Sequence, residues 1–294
     1  MALRLVEWFA GIGGCALALQ DRPGFEVVAA VDIDRGALDV YSANFPYPTW
    51  VREICSLPAY QVASWQADLW WMSPPCQPYT ARGRQRDDQD PRAASLLVLL
   101  EWIDRFRPAW LALENVPPFG QSRMWQRLRS RLEKIGYHWA SIEVCPTQLG
   151  IPNRRRRFYM LASLQGPVEW QPLPYQPHRL GEYLMPPDAE DLWVDRALLA
   201  RYGHAIHVID DAWAADSIVS CFTAAYGRSP VRSGSCLRTL HGVRRFSPRE
   251  VARLMGFPDS FRFPESCSRR RQWNLLGNSL SIPVVRWLLE HVRP

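Results

Sequence analysis

Lysine is almost missing from this chain: Lys134 is the only one, and the remaining 34 basic residues are arginine. Positive charge is therefore carried by guanidinium groups, which bind phosphate in a bidentate manner and stack on exposed bases, although a codon bias gives the same excess. The seven cysteines, at positions 15, 55, 76, 145, 221, 236 and 267, contain no C-x-x-C pair and are odd in number. That excludes a paired disulfide framework and the usual zinc spacing, so no metal is expected and a reducing compartment fits best. No apolar run approaches the ~20 residues that span a bilayer. The start, Met1-Ala2-Leu3-Arg4, leads straight into a strand pattern rather than a signal h-region. The expectation is a soluble, cytoplasmic protein without a membrane partner. There is no internal repeat or low-complexity tract, so neither a repeat array nor a disordered chain is expected.

What is present is apolar content in quantity. Hydrophobic residues make up 47% of 294 positions, ample for one large core with a small appended lobe. A net charge of +6 favours a polyanionic partner, and fourteen tryptophans offer stacking platforms, most of them spent on the core or on groove lining.

Up to about residue 164, short apolar runs alternate with helical stretches, the pattern of βαβ units around a parallel sheet. Strands are expected at 3–9, 26–32, 69–73, 109–114, 139–144 and 158–163. Leu96, Leu97, Leu100 and Ile103 recur at helical spacing and predict a helix over 93–106 that Pro108 stops, with another over 125–135. Beyond residue 164 prolines crowd in and periodicity fades. We therefore expect a recognition lobe over 164–244, and a catalytic domain made of 1–163 and 245–294. Ser247-Pro248-Arg249-Glu250 is a capping box that opens a helix ended by Gly256, and a last helix follows Ser281.

Four constellations carry chemistry. Phe9-Ala10-Gly11-Ile12-Gly13-Gly14 follows the first strand, and Asp32 ends the second. Glycines there let a ligand approach the backbone, and a carboxylate at that strand end can hold a ribose diol, so a nucleoside cofactor is expected. By spacing alone the turn also suits a nicotinamide dinucleotide, or no ligand at all. Cys76 sits within Ser73-Pro74-Pro75-Cys76-Gln77-Pro78 after an apolar run. A free cysteine is commonly a small buried hydrophobe, but the prolines restrict the backbone so tightly that a positioned nucleophile is the better reading. Glu114-Asn115-Val116 ends the next strand, where Glu114 either faces Cys76 or caps a helix. The run Arg154-Arg155-Arg156-Arg157 is either a solvated charge run or, on an alternating strand, two pairs, Arg155 with Arg157 and Arg154 with Arg156, one facing the crevice and the other meeting phosphates.

Taken in order, these motifs, with Gln148 to Arg157 and Gly277-Asn278-Ser279, resemble the cytosine-C5 methyltransferases of nucleic acids over essentially the whole chain. Cys221-Phe222-Thr223 with Tyr226-Gly227, the stretch from Pro74 to Gln85, and Leu254-Met255-Gly256-Phe257-Pro258 resemble the branch called DNA methyltransferase type 2, which acts on the tRNA anticodon loop. Tyr79 and Pro117-Pro118 depart from that branch, which more often has phenylalanine and Lys-Gly there.

The resemblance implies a Rossmann-like α/β methyltransferase fold, a mostly parallel sheet flanked by helices, plus a small target-recognition lobe. It implies catalysis by Cys76, Glu114, Arg155 and Arg157. S-adenosylmethionine is then expected along Phe9, Ala10, Gly11, Ile12 and Gly14, with Asp32 and Ile33, Glu53 and Ile54, Pro74, Asn278 and Ser279, leaving S-adenosylhomocysteine as product. Substrate contacts are expected from Gln77, Arg82, Arg84, Asn115, Arg154, Arg156, Cys221, Phe222, Thr223 and Tyr226. The expected partner is tRNA, with DNA as the alternative and a nicotinamide oxidoreductase as a remote one, and the expected state is a monomer.

Overall fold

The computed structural model describes residues 2–79, 86–186 and 192–293. They form two compact units: Met1–Val144, Arg156–Pro172 and Arg286–Pro294 in the first, Cys145–Arg155 and Leu173–Val285 in the second.

The first unit is a doubly wound α/β layer. Along the chain come β1 (Leu3–Trp8), α1 (Gly14–Leu19), β2 (Phe25–Asp32), α2 (Arg35–Ser42), β3 (Thr49–Val51), α3 (Ala59–Ser64), β4 (Leu69–Met72), α4 (Ala94–Phe106), β5 (Trp110–Asn115), α5 (Arg123–Lys134), β6 (His138–Val144) and β7 (Arg157–Ser163). The sheet order is β3-β2-β1-β4-β5-β7-β6. β1 to β5 pair in parallel, whereas β7 runs antiparallel to both β5 and β6.

The chemistry of each segment explains its place. β4 reads Leu-Trp-Trp-Met and is buried throughout, as a central parallel strand covered on both faces must be. Trp8 of β1 meets Trp70 of β4 edge-on at 5.4 Å and Trp65 at 5.7 Å. Each such burial removes a large apolar area from water, and pairs at that spacing add further attraction. α4 buries Leu96, Leu99, Leu100 and Ile103 along one stripe, and its end is the left-handed residue Arg107, just before Pro108. Ser122 caps α5 by accepting the Trp125 amide, and Met124, Trp125, Leu128 and Leu132 form the buried stripe of that helix.

The second unit contains α6 (Arg196–Tyr202) and a three-stranded sheet of β8 (His207–Ile209), β9 (Ser235–Thr239) and β10 (Gly242–Arg245), then α7 (Pro248–Leu254) and α8 (Arg269–Asn278). α9 (Ile282–Leu289) spans the boundary at residue 285. The capping box forms as expected: Ser247 Oγ accepts the Glu250 amide at 3.2 Å, while Glu250 accepts the Ser247 amide at 2.7 Å. Gly256, at φ +87°, follows the C-cap of α7.

Residues 245–285, expected in the catalytic domain, group with the second unit, where Phe246 packs on Phe222, Trp273 on Tyr226, and the buried Arg244 pairs bidentately with Glu250. β8 to β10 were not foreseen, since strands of three to five residues carry too few alternations to read.

Candidate active site

Every motif in the first unit lies at one edge of its sheet. The glycine turn follows β1, Asp32 ends β2, Cys76 follows β4, and Glu114 is the penultimate residue of β5. β1 pairs with both β2 and β4, so the carboxyl ends of these strands are adjacent, which is where open α/β sheets bind ligands.

β4 and β5 are direct neighbours, with Met72 opposite Leu113. The loop that carries Cys76 is tied to this framework just before its proline pair and at the first of the two prolines. Ser73 Oγ donates to the Phe9 carbonyl at 3.1 Å, and Asn115 Nδ2 donates to the Pro74 carbonyl at 3.1 Å. A turn then closes from the Tyr79 amide to the Cys76 carbonyl at 3.0 Å. Cys76 is half-buried and Gln77 exposed, while Tyr79 packs edge-on against Phe119 at 4.9 Å. Asn115 was expected to touch substrate. It is buried, its carbonyl oxygen accepting from the Val116 amide and its Nδ2 donating to the Pro74 carbonyl. Arg82 and Arg84 lie outside the described residues.

Glu114 is 8% exposed, and Arg157 Nε lies 3.2 Å from its carboxylate. Because β7 is antiparallel to β5, its first residue, Arg157, arrives at the edge where β5 ends; Asn115 pairs with Phe158 and Glu114 with Tyr159. A carboxylate beside a guanidinium next to the cysteine loop can polarise a heteroaromatic ring. Arg92 was not singled out from sequence. Its guanidinium is held by Asp90 at 2.7 and 2.8 Å, and Cys76 is among the groups that raise its pKa, which places a cation within electrostatic reach of the thiol.

The arginine run divides. Residues 154–156 precede β7, so strand alternation does not put Arg155 and Arg157 on one face. Arg156 pairs with Glu143 at 2.6 Å near solvent, and the exposed Arg154 uses its amide on Val219 in the second unit. Arg155 is only 4% exposed, its guanidinium occupied by carbonyls of the second unit. Phe222 and Tyr226, expected at the substrate, are buried in that unit's aromatic core, which gives them a packing task; Cys221 and Thr223 are half-buried.

Among the expected cofactor residues, Phe9 and Gly11 have positive φ, at 58° and 55°, as has Gly13 in the same turn, at 86°. Gly11 donates its amide to Asp32 at 2.8 Å, and Asp34 does the same at 2.8 Å. Burial raises the Asp32 pKa. A Cβ at Gly11 would meet nothing within 4 Å, so the turn is open on that side, and Ile33 beside Asp32 is 70% exposed. Open backbone, a carboxylate and a bare apolar side chain fit a nucleoside. Ala10, Ile12, Gly14, Ile54 and Pro74 are buried in support, while Glu53 is exposed. In the second unit Asn278, the last residue of α8, is exposed and Ser279 buried.

Glu7 was also missed. Gly13 has no side chain to cap α1, and Glu7, fully buried on β1, accepts the Cys15 amide at 3.1 Å and the Tyr41 hydroxyl at 3.1 Å. A lone acid inside an apolar strand leaves no periodic signal.

The family model of the C-5 cytosine-specific DNA methylase matches residues 3–193 and 200–293. The chain belongs to that family. A nicotinamide enzyme is thereby set aside. Relatives of this methylase include the tRNA (cytosine(38)-C(5))-methyltransferase of Schizosaccharomyces pombe, 31% identical, covering 98% of this chain and 96% of that protein. A DNA (cytosine-5)-methyltransferase of Dictyostelium discoideum is 27% identical, covering 98% and 93%. Among solved structures, the Entamoeba histolytica methyltransferase EhMeth superposes with TM-score 0.90 at 27% identity, covering 99% and 98%, and S. pombe Dnmt2 with 0.87 at 31%, covering 98% and 97%. The methylase thus shares its whole fold with cytosine-C5 methyltransferases.

Proposed function

We propose that this cytosine-C5 methyltransferase modifies tRNA, at the anticodon-loop cytosine 38 named for its relatives, with S-adenosylmethionine as methyl donor and Cys76 as covalent nucleophile. The observation that carries the reading is the Cys76 loop pinned by Asn115 to β5, the strand that presents Glu114, with Arg157 of the neighbouring β7 paired to that carboxylate.

Cytosine C5 is a weak nucleophile, and the residues at this sheet edge are suited to activate it. The Cys76 thiolate adds to C6 while Glu114 holds N3, so electron density moves to C5. Arg157 orients Glu114 and steadies the charge that builds on the ring at O2. S-adenosylmethionine supplies an electrophilic methyl group, held by the 9–14 turn and Asp32, with Asn278 and Ser279 also assigned to it. After transfer, loss of the C5 proton and departure of Cys76 restore aromaticity.

Charge distribution supports a nucleic acid partner. The second unit carries 16 arginines against 11 acidic residues, so five of the six net positive charges reside there. RNA is favoured over duplex DNA because a loop already exposes its bases, whereas flipping one from a duplex costs a few kcal/mol. DNA remains the second reading, favoured by the D. discoideum relative.

Tritiated methyl transfer to total tRNA and to genomic DNA tests the substrate, and trapping with 5-fluorocytosine-bearing tRNA tests the adduct. Label in tRNA with a crosslink at Cys76 is the expected result. Label in DNA alone, or no crosslink, overturns it.

A further inference from the structure

Arg155 binds two segments that lie far apart in sequence. Its Nη1 donates to the Phe222 carbonyl at 3.2 Å and lies 3.6 Å from Cys221 Sγ; its Nη2 donates to the Gly277 carbonyl at 3.2 Å and to the Ser279 carbonyl. One planar group therefore bridges the Cys221-Phe222-Thr223 turn and the end of α8. The two segments also touch directly. A Cβ on Gly277 would lie 2.3 Å from both the Ala224 nitrogen and the Thr223 carbonyl carbon, so backbone rests on backbone, and Asn274 Nδ2 donates to the Ala224 carbonyl at 3.3 Å.

The geometry has a mechanical consequence. The nitrogens of a guanidinium keep a fixed separation, so the Phe222 carbonyl cannot move without drawing on the Gly277 and Ser279 carbonyls or breaking a buried hydrogen bond. A buried carbonyl left without its donor costs about 1–3 kcal/mol, enough to make the two segments move as one piece. The α8 carbonyls gain as well, since a cation at a helix C-terminus satisfies groups that have no partner within the helix.

We propose that Arg155 is a positioning residue that makes nucleic acid binding and cofactor binding cooperative, by clamping the 221–223 turn to the 277–279 segment. The inference rests on the tRNA reading and on the expected contacts of Cys221 and Thr223 with the substrate and of Asn278 and Ser279 with S-adenosylmethionine. Ordering of either segment by its ligand pre-orders the other, so each ligand lowers the cost of binding the second, and by linkage the effect is reciprocal.

Calorimetry with S-adenosylhomocysteine, with and without tRNA, reads the coupling without turnover. In the wild type the nucleoside is expected to bind about five- to tenfold more tightly when tRNA is present, a typical coupling. Arg155→Lys keeps the charge but offers a single nitrogen that cannot span both segments, so the ratio is expected to fall to about one while each separate affinity changes less. An unchanged ratio in Arg155→Lys, or a ratio of one in the wild type, overturns the proposal. Hydrogen exchange on the wild type covers the case of a variant that does not fold. S-adenosylhomocysteine alone is expected to slow amides in 222–226, and no change there also overturns it. That arm needs no nucleic acid, so failure of the tRNA reading, seen as label in DNA alone, is distinguishable from failure of the coupling.

Discussion

Arg157 Nε sits 3.2 Å from a carboxylate oxygen of Glu114, with both side chains largely shielded from water. The pair joins the end of one strand to the start of its antiparallel neighbour, and it restricts how the carboxylate can turn. Glu114→Gln keeps the shape and removes the charge. It is expected to lower the rate of methyl transfer by roughly 10²–10³-fold, the usual loss for a preorganised polar group, with the circular dichroism spectrum unchanged. A single-turnover rate near wild type removes Glu114 from the chemistry.

Cys76 acts on the base and not on the cofactor in the proposed scheme. Cys76→Ala is therefore expected to abolish methyl transfer and 5-fluorocytosine crosslinking while S-adenosylmethionine binds within about twofold of wild type by calorimetry. Retained turnover in that variant refutes the covalent scheme.

Burial pushes the Glu7 carboxyl up to about 8, opposed by the Tyr41 hydroxyl and the Cys15 and Ala16 amides and reinforced by Asp32. The fold thus prefers the protonated acid. Between pH 4.5 and 8 the unfolded chain releases a proton that the native protein keeps, so stability falls as pH rises through this window and levels off above it. Glu7→Gln stays neutral and loses that slope. Denaturant titrations at pH 5, 6.5 and 8 are expected to show the variant gaining on wild type by on the order of a few kcal/mol, at about 1.4 kcal/mol per pH unit. Parallel pH profiles for the two proteins contradict this.

Gly13 has φ +86°, and a Cβ there would lie 2.4 Å from the Phe45 ring. Gly13→Ala combines backbone strain with a clash, so a loss of about 1–3 kcal/mol in stability is expected, with weaker cofactor binding. Thermal melts and calorimetry check both.

Arg228 and Arg270 are exposed and have no ion-pair partner among the described residues, and Arg228 follows Gly227, whose added Cβ would lie 3.3 Å from Arg270 Cα. Changing either to alanine is expected to weaken tRNA binding and to reduce the slope of log K against log salt by about one, as for a lost phosphate contact. An unchanged slope places these arginines outside the interface.

The six strands of the α/β layer that were expected from sequence are present within a residue or so at each end, because continuous apolar runs between helical stretches are a strong signal. The stiff loop around Cys76 was legible from its prolines and the left-handed turn after β1 from its glycines. The inner structure of the second unit was not, since its strands are short and its core is built from aromatic residues scattered between positions 222 and 273. The burial of Tyr226 and Phe222, expected at the substrate, was not legible, because a motif shows which residues recur together but not which way they face.

By itself the chain specified its local chemistry: a cysteine stiffened by prolines, glycines where backbone must turn left-handed, a capped α7, and a carboxylate at the end of a buried strand. Those features depend on neighbours within a few residues. Tertiary structure alone decided the reversal of β7 that delivers Arg157 to Glu114, and the burial that turns Arg155 into a clamp. Both depend on contacts between residues more than forty positions apart, where no period or spacing in the sequence carries the information.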